Sequence, residues 1–116
     1  MIQISIERVA TRVINVTISG HSGFARHGKD IVCAAVSAVS YTCLLGLMRF
    51  SKESVEYEVD EKTGYLRFTV PKGGNDEETG IIDAIVETML IGLKDIETGY
   101  KNCVKVVESD GQGQRR

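Results

Sequence analysis

The sequence is poor in cysteine and carries almost no net charge. Its three cysteines, Cys33, Cys43 and Cys103, form no CxxC pair of the metal-binding type, and their odd number does not suit a disulfide framework. No signal peptide precedes the first predicted strand, so we expect the reducing cytoplasm as the compartment. The 14 Lys and Arg residues nearly balance the 16 Asp and Glu residues, for a formal charge of -2. We therefore expect no direct nucleic-acid partner and no membrane anchor.

One stretch lacks charge altogether. From Ile31 to Met48 there is no Asp, Glu, Lys or Arg, and this length is close to the lower limit for crossing a bilayer. Ser, Thr, Tyr and Gly residues interrupt the stretch, and Lys29, Asp30 and Arg49 close it at both ends. We therefore predict a helix that is buried on most sides of a protein core.

Hydrophobic periodicity predicts the element order ββαββαβ. The predicted elements are, in chain order, a hairpin of strands at about 2–7 and 12–19, the helix from Ile31, a hairpin of strands at about 55–60 and 66–70 with a turn at 62–64, a helix from Asp76 to about Gly99 and a strand at about 102–107. In the second strand, the alternation places Ile14, Val16 and Ile18 on one side.

These elements predict one α/β domain, a two-layer sandwich of a mixed sheet and two helices. The length of 116 residues is enough for one core. We set the domain at 1–108 and expect 109–116 to be a disordered C-terminal tail, because its residues are small and polar. We also expect a homodimer, because so small a sandwich leaves a sheet face or edge that needs cover.

The segment from Gly20 to Cys33 is the most informative about function. His21 follows the second strand, and Asp30 is a favoured N-cap type that places Cys33 in the first turn of the helix. Unpaired N–H groups and the positive end of the helix dipole favour a thiolate there. A thiolate and a neighbouring imidazole are the ingredients of covalent catalysis. The segment therefore predicts Cys33 as nucleophile and His21 as general base and then general acid.

Other residues of this segment are candidates for support. Asp30 either caps the helix or fixes the tautomer of His21, as the third member of a triad does. Ser37 lies one turn beyond Cys33 and either hydrogen-bonds within the site or donates back to the carbonyl of Cys33. We expect first-turn backbone N–H groups, that of Cys33 included, to act as oxyanion donors. Glycines at 20, 23 and 28 predict a hinged loop over the site.

Two other chemistries compete with this interpretation. A zinc site from His21, His27 and Cys33 has legitimate ligands but no evident fourth one, so we expect no metal and no cofactor. Ser22 is not expected to be a nucleophile, because its surroundings lack the GxSxG spacing of a nucleophile elbow.

A resemblance to a known family rests on the pair Gly20-His21 and on the run Gly28-Lys29-Asp30-Ile31-Val32-Cys33-Ala34-Ala35-Val36-Ser37. Both resemble the ribosomal-processing cysteine protease family, Prp, of bacteria such as the Firmicutes; Ser22 stands where members often carry alanine. The resemblance implies a His-Cys dyad, formed here by His21 and Cys33. It also implies that the substrate is the precursor of large-subunit ribosomal protein twenty-seven, whose N-terminal extension is removed after a phenylalanine during ribosome assembly.

A non-enzymatic alternative stays open at this point. Cys43 and Cys103 fall inside a predicted helix and a predicted strand among apolar neighbours, so we expect them to be inert. If Cys33 were equally structural, the chain would be a ribosome-associated dimeric interaction module.

Overall fold

The computed structural model describes residues 1–21, 23, 25–26 and 30–111, and these form a five-stranded sheet with two helices. The elements are β1 (Ile2–Val9), β2 (Arg12–Ser19), α1 (Ile31–Phe50), β3 (Tyr57–Asp60), β4 (Tyr65–Thr69), α2 (Asp76–Gly99) and β5 (Val104–Asp110). The predicted α/β class and the order ββαββαβ are confirmed.

The strands follow the spatial order β3-β4-β2-β1-β5. Neighbouring strands are antiparallel except β1 and β5, which run parallel, so the sheet is mixed as predicted. Gln3 pairs with Ser19, and Ile18 pairs with Leu66. The start of β1, the end of β2 and the start of β4 therefore meet at one end of the sheet.

β2 departs from simple alternation. Val13, Val16 and Ile18 are buried, whereas Ile14 is only half-buried. The register between β1 and β2 shifts by one residue next to Arg8, and such a bulge changes which side chains face the core. The prediction that Ile14 shares the buried side with Val16 and Ile18 is therefore wrong.

The core lies between the sheet and the helix layer. Buried strand residues include Ile2, Ile4, Ile6, Val16, Ile18, Leu66, Phe68 and Val104, and buried helix residues include Val36, Leu44, Leu47, Ile82, Val86, Leu90 and Leu93. The helices lie side by side and antiparallel, with Val39 beside Gly92 and Ile85 beside Gly46. The absence of a side chain at each glycine allows the helices to approach closely.

α1 is buried on one side only. The prediction that it is buried on most sides is wrong. Its buried residues recur at spacings of three and four, while Leu45 on the opposite side is 63% exposed. The described part of the chain supplies only α2 as a neighbour in the helix layer, so the outer side of α1 stays uncovered. By length and composition alone α1 could also cross a membrane, a property that it shares with core helices.

β5 extends beyond the predicted domain boundary. Ser109 pairs with Glu7 and Asp110 pairs with Arg8. Backbone pairing with β1 therefore continues through these polar residues, and the predicted boundary of the tail at 109 is too early. Residues 112–116 of that tail lie outside the described residues. Cys103 lies in the turn before β5 and not inside a strand.

Candidate active site

A cavity of about 560 Å³ opens between α1 and the end of the sheet where β2 stops and β4 begins. All five residues singled out from the sequence line it: Gly20, His21, Asp30, Cys33 and Ser37. Residues that are distant in the sequence also line the cavity, most of them in β4 and in the turn before it: Asp60, Glu61, Gly64, Tyr65 and Leu66.

Asp30 caps α1, as the sequence predicts. Its backbone is extended, and its buried carboxylate accepts the N–H groups of Val32 and Cys33, each at 3.0 Å. The first turn of α1 contains no acidic residue. The cap therefore holds Cys33 in the first turn, at the positive end of the helix dipole.

The same cap overturns one expectation about oxyanion stabilisation. The N–H of Cys33 donates to Asp30 Oδ1, and the N–H of Ala34 donates to the carbonyl of Asp30 at 3.1 Å. Both donors are engaged within the helix start, because an N-cap competes for the groups that an oxyanion would need. The assignment of the Cys33 N–H as an oxyanion donor is wrong for this arrangement.

One face of α1 presents Cys33, Ser37 and Tyr41 to the cavity, at the i, i+4 and i+8 positions. Cys33 is half-buried and Ser37 is exposed. Among the described residues of α1, the hydroxyls that donate back to the helix are those of Ser40, at 2.7 Å from the carbonyl of Val36, and Thr42, at 2.6 Å from the carbonyl of Ala38, and not that of Ser37. The back-bonding interpretation of Ser37 is therefore wrong, and its hydroxyl belongs to the cavity wall.

Tyr41 keeps its proton near neutral pH. Burial, together with the charge of Glu61, raises the pKa of Tyr41. Its hydroxyl therefore remains available as a hydrogen-bond donor. Asp60 and Glu61 are exposed at the cavity, and no Lys or Arg is among the described lining residues.

The turn between β3 and β4 contacts His21, a contact that the sequence did not predict. Gly64, with φ of +68°, precedes β4, and a Cβ there would lie 2.5 Å from the carbonyl oxygen of Gly20 and 3.1 Å from His21 Cε1. The Nε2 atom of His21 lies 3.4 Å from the carbonyl oxygen of Lys62. The only sequence signal was a glycine in a predicted turn, which does not reveal what the turn contacts.

Gly20 also has a steric reason to be glycine. Its φ is +92°, and a Cβ would lie 2.6 Å from the carbonyl oxygen of Met1. A side chain at this position would force the end of β2 away from the start of β1 and would displace the neighbouring His21.

Part of the loop before α1 lies outside the described residues: 22, 24 and 27–29. The predictions for Ser22, for His27 and for a hinged loop fall largely there. Within the described ranges no group of three or more His, Cys, Asp or Glu side chains is arranged to hold a metal ion.

The other two cysteines differ from Cys33. Cys43 is buried, and burial raises the pKa of its thiol to about 12. Cys103 is half-buried and lies outside the cavity. Cys33 is the one of the three thiols that combines a helix start with access to a cavity.

A thiol at a helix start and an imidazole at an adjacent strand end share one cleft of a size suited to a peptide side chain. Nucleophilic attack through sulfur requires these two groups and no bound metal ion. The class of protein that this arrangement defines is the cysteine protease.

Comparison with known proteins identifies the family within that class. A family model described as cysteine protease Prp matches residues 1–105. The ribosomal processing cysteine protease Prp of Bacillus subtilis (strain 168) is 30% identical over 107 residues, which cover 91% of this chain and 96% of that protein. The chain belongs to the Prp family of cysteine proteases. This membership favours the enzyme over the non-enzymatic interaction module.

Solved structures agree with this assignment. The Prp of S. aureus in complex with a covalently linked product peptide matches with a TM-score of 0.83 and 27% identity, covering 94% of this chain and all (100%) of that one. The S. aureus protein in complex with a substrate peptide matches with a TM-score of 0.76 and 24% identity over 94% of this chain and 100% of that one, which supports the fold.

Proposed function

We propose that this cysteine protease removes the N-terminal extension of large-subunit ribosomal protein twenty-seven by cutting after a phenylalanine. The family already defines a ribosomal processing cysteine protease. The observation that carries the finer proposal is the apolar part of the cavity lining, to which Ile2, Ile18, Val36 and Leu66 belong together with Cys33. A cleft of about 560 Å³ with such a part has room for an aromatic side chain and the peptide that flanks it.

In the proposed reaction, Cys33 Sγ loses its proton to His21 and attacks the scissile carbonyl carbon. His21 then returns the proton to the departing amine, which leaves a thioester on Cys33. Water, deprotonated by His21, then attacks the thioester carbon; the C–S bond breaks, Cys33 Sγ takes back the proton from His21, and the acyl product leaves as a carboxylic acid. The covalently linked product peptide in the S. aureus relative supports a mechanism of this type.

The start of α1 supports Cys33 as the nucleophile. The carboxylate of Asp30 accepts two N–H groups of the first turn, that of Cys33 included. The cap therefore fixes the backbone of Cys33 in the first turn of α1, where its side chain lines the cavity.

The test is cleavage of a synthetic peptide that spans the N-terminal extension of large-subunit ribosomal protein twenty-seven. Wild type should give a single cut after the phenylalanine, read by mass spectrometry, and a matched peptide with alanine in place of that phenylalanine should be cut at least about tenfold more slowly. Cys33→Ala should bind the peptide without cutting it. Equal cleavage of both peptides would contradict the proposed specificity, and cutting by Cys33→Ala would contradict the nucleophile.

We further propose a homodimer that works in the cytoplasm, where ribosomes assemble. The support is the outer helix face, which comprises eight exposed uncharged residues: Ile31, Ala38, Thr42, Leu45, Ile81, Ala84, Thr88 and Ile91. Ile91 is 70% exposed, and an uncharged surface across both helices is the kind that a second copy covers in a symmetric dimer.

Sedimentation of the full chain tests the dimer. Wild type at micromolar concentration should sediment at twice the chain mass of 12.7 kDa. Leu45→Glu combined with Ile91→Glu should give the 12.7 kDa species, whereas Tyr57→Glu, an exposed apolar position on β3, should leave the dimer intact. A monomeric wild type would rule out the dimer, and dissociation by Tyr57→Glu alone would move the interface to the sheet edge.

A further inference from the structure

We infer that the turn between β3 and β4, residues 61–64, positions His21, and that the main-chain carbonyl of Lys62 orients its ring. In a Ser-His-Asp triad an acidic side chain performs this task. The inference rests on the proposed function in one respect, namely that His21 is the general base.

Two independent observations place the turn against His21. The first is the contact of 3.4 Å between His21 Nε2 and the Lys62 carbonyl oxygen. The second is steric: at Gly64 even a Cβ atom would lie 3.1 Å from the imidazole and 2.5 Å from the Gly20 carbonyl oxygen. The hydrogen-bond contact is long, as is common for catalytic hydrogen bonds before substrate binds.

The turn is itself held in place. The N–H of Lys62 donates to Asp60 Oδ1 at 3.0 Å, and the hydroxyl of Thr63 donates to the Asp60 carbonyl at 3.4 Å. β4 pairs directly with β2, in the register Ile18 with Leu66. The turn and His21 therefore continue from neighbouring strands, and sheet pairing sets the distance between them.

The contact assigns a role to each ring nitrogen. In the neutral ring Nε2 carries the proton that it donates to the Lys62 carbonyl, so Nδ1 carries the lone pair. Nδ1 then takes the proton of Cys33 Sγ, and the ring becomes an imidazolium whose Nε2–H bond to the carbonyl strengthens with the new charge. Nδ1 gives its proton to the leaving amine, and the ring returns to its starting tautomer.

The first experiment reads the tautomer without using activity. Nitrogen-15 NMR of Cys33→Ala at about pH 8, where an unperturbed imidazole is neutral, compares the folded chain with the same chain unfolded in urea. His27→Asn in a parallel sample assigns the signals, since the chain has two histidines. We expect His21 to be protonated at Nε2 more completely in the folded chain. An Nδ1–H tautomer, or equal populations in both states, would overturn the inference.

The second experiment moves the turn. Gly64→Ala should lower kcat on the peptide about 10- to 100-fold, with KM changed less than kcat, because a displaced base costs rate more than binding. In the Cys33→Ala background it should also return the tautomer population toward that of the unfolded chain. The matched control is Gly73→Ala, which has φ of +84° and a Cβ position 2.5 Å from Thr79 Oγ1 but lies away from the cavity.

The outcomes separate this inference from the proposed function. Gly73→Ala should lower stability with less than about a threefold change in kcat; an equal loss of kcat in both variants would assign the effect to backbone strain and overturn the inference. If wild type cuts the peptide but His21 is an Nδ1–H tautomer, the inference alone fails. If wild type does not cut the peptide, the proposed function fails, and the NMR comparison still decides whether the turn orients the ring.

Discussion

The two helices of this protein begin in different ways. α1 starts with the cap Asp30 and has no acidic residue in its first turn, whereas α2 starts with the cap Asn75 and has three, Asp76, Glu77 and Glu78. Acidic side chains near a helix N-terminus stabilise it by matching the positive end of the dipole. At α1 the only carboxylate at the N-terminus is that of the cap Asp30, and the first turn holds Cys33 in place of acidic side chains.

The start of α2 also holds the molecule together. Glu78 is buried, and its carboxylate accepts the N–H of Lys52, just after α1, and the N–H of Gly74. These two hydrogen bonds lower the pKa of Glu78. The comparison shows that one helix start serves packing, while the other, capped by a buried carboxylate, places a thiol at the cavity.

Removing the two groups that we propose to react, Cys33 in α1 and His21 after β2, should have the largest effect. We expect Cys33→Ala to lower kcat more than about 10⁴-fold and His21→Ala to lower it about 10²- to 10⁴-fold. The two groups act as a unit, so the double variant should be no slower than Cys33→Ala. Peptide cleavage measures all three, and Cys103→Ala, outside the cavity, should keep the wild-type rate. Multiplicative losses in the double variant would argue that the two residues act separately.

Thiol labelling sharpens the comparison between helix start and helix interior. Burial raises the pKa of Cys43 to about 12, so its thiol stays neutral at neutral pH. We expect iodoacetamide to modify Cys33 more than about 100-fold faster than Cys43 and about tenfold faster than the half-buried Cys103. Mass spectrometry of timed digests gives the rates. Equal rates for Cys33 and Cys103 would show that the helix start does not activate the thiol.

Removing each N-cap side chain in turn tests whether the two helix starts differ in function. Asp30→Ala and Asn75→Ala should each lower the free energy of unfolding by about 1 kcal/mol, since each removes an N-cap acceptor. Only Asp30→Ala should lower kcat/KM, by about tenfold, because it releases the turn that holds Cys33. Asp30→Asn keeps a good cap and should restore stability. Urea unfolding and peptide kinetics measure the two effects, and an equal loss of kcat/KM in both alanine variants would contradict the distinction.

The smallest expected effect is a pH dependence at α2. Because the pKa of Glu78 is lowered in the folded chain, its stabilisation is complete above the ordinary glutamate pKa of about 4.3 and is lost as pH falls through the lower folded value. Glu78→Gln should therefore lower the urea midpoint at neutral pH and have no effect at strongly acidic pH. Glu77→Gln is the control, because Glu77 is exposed in the same turn. An equal shift of the urea midpoint in both variants would assign the effect to the helix dipole and not to the two hydrogen bonds of Glu78.

The sequence predicted the start of α1 better than it predicted burial. Asp30 as cap and Cys33 in the first turn follow from local rules, because an N-cap acts within three residues of itself. The register of β2 did not follow, because the bulge beside Arg8 depends on pairing with β1. The assignment of the Cys33 N–H as an oxyanion donor was wrong for a related reason. A helix start has few free N–H donors, and in the structure the Cys33 N–H donates to Asp30.

The sequence by itself determined the element order, the cap at Asp30 and the placement of a thiol and an imidazole at the two ends of one loop, since periodicity and capping are properties of neighbouring residues. Only the tertiary structure decided that the turn with Lys62 and Gly64 meets His21. It also decided which side of the uncharged helix α1 stays exposed. Both depend on which strands and helices become neighbours, and that choice is made by the packing of the whole core.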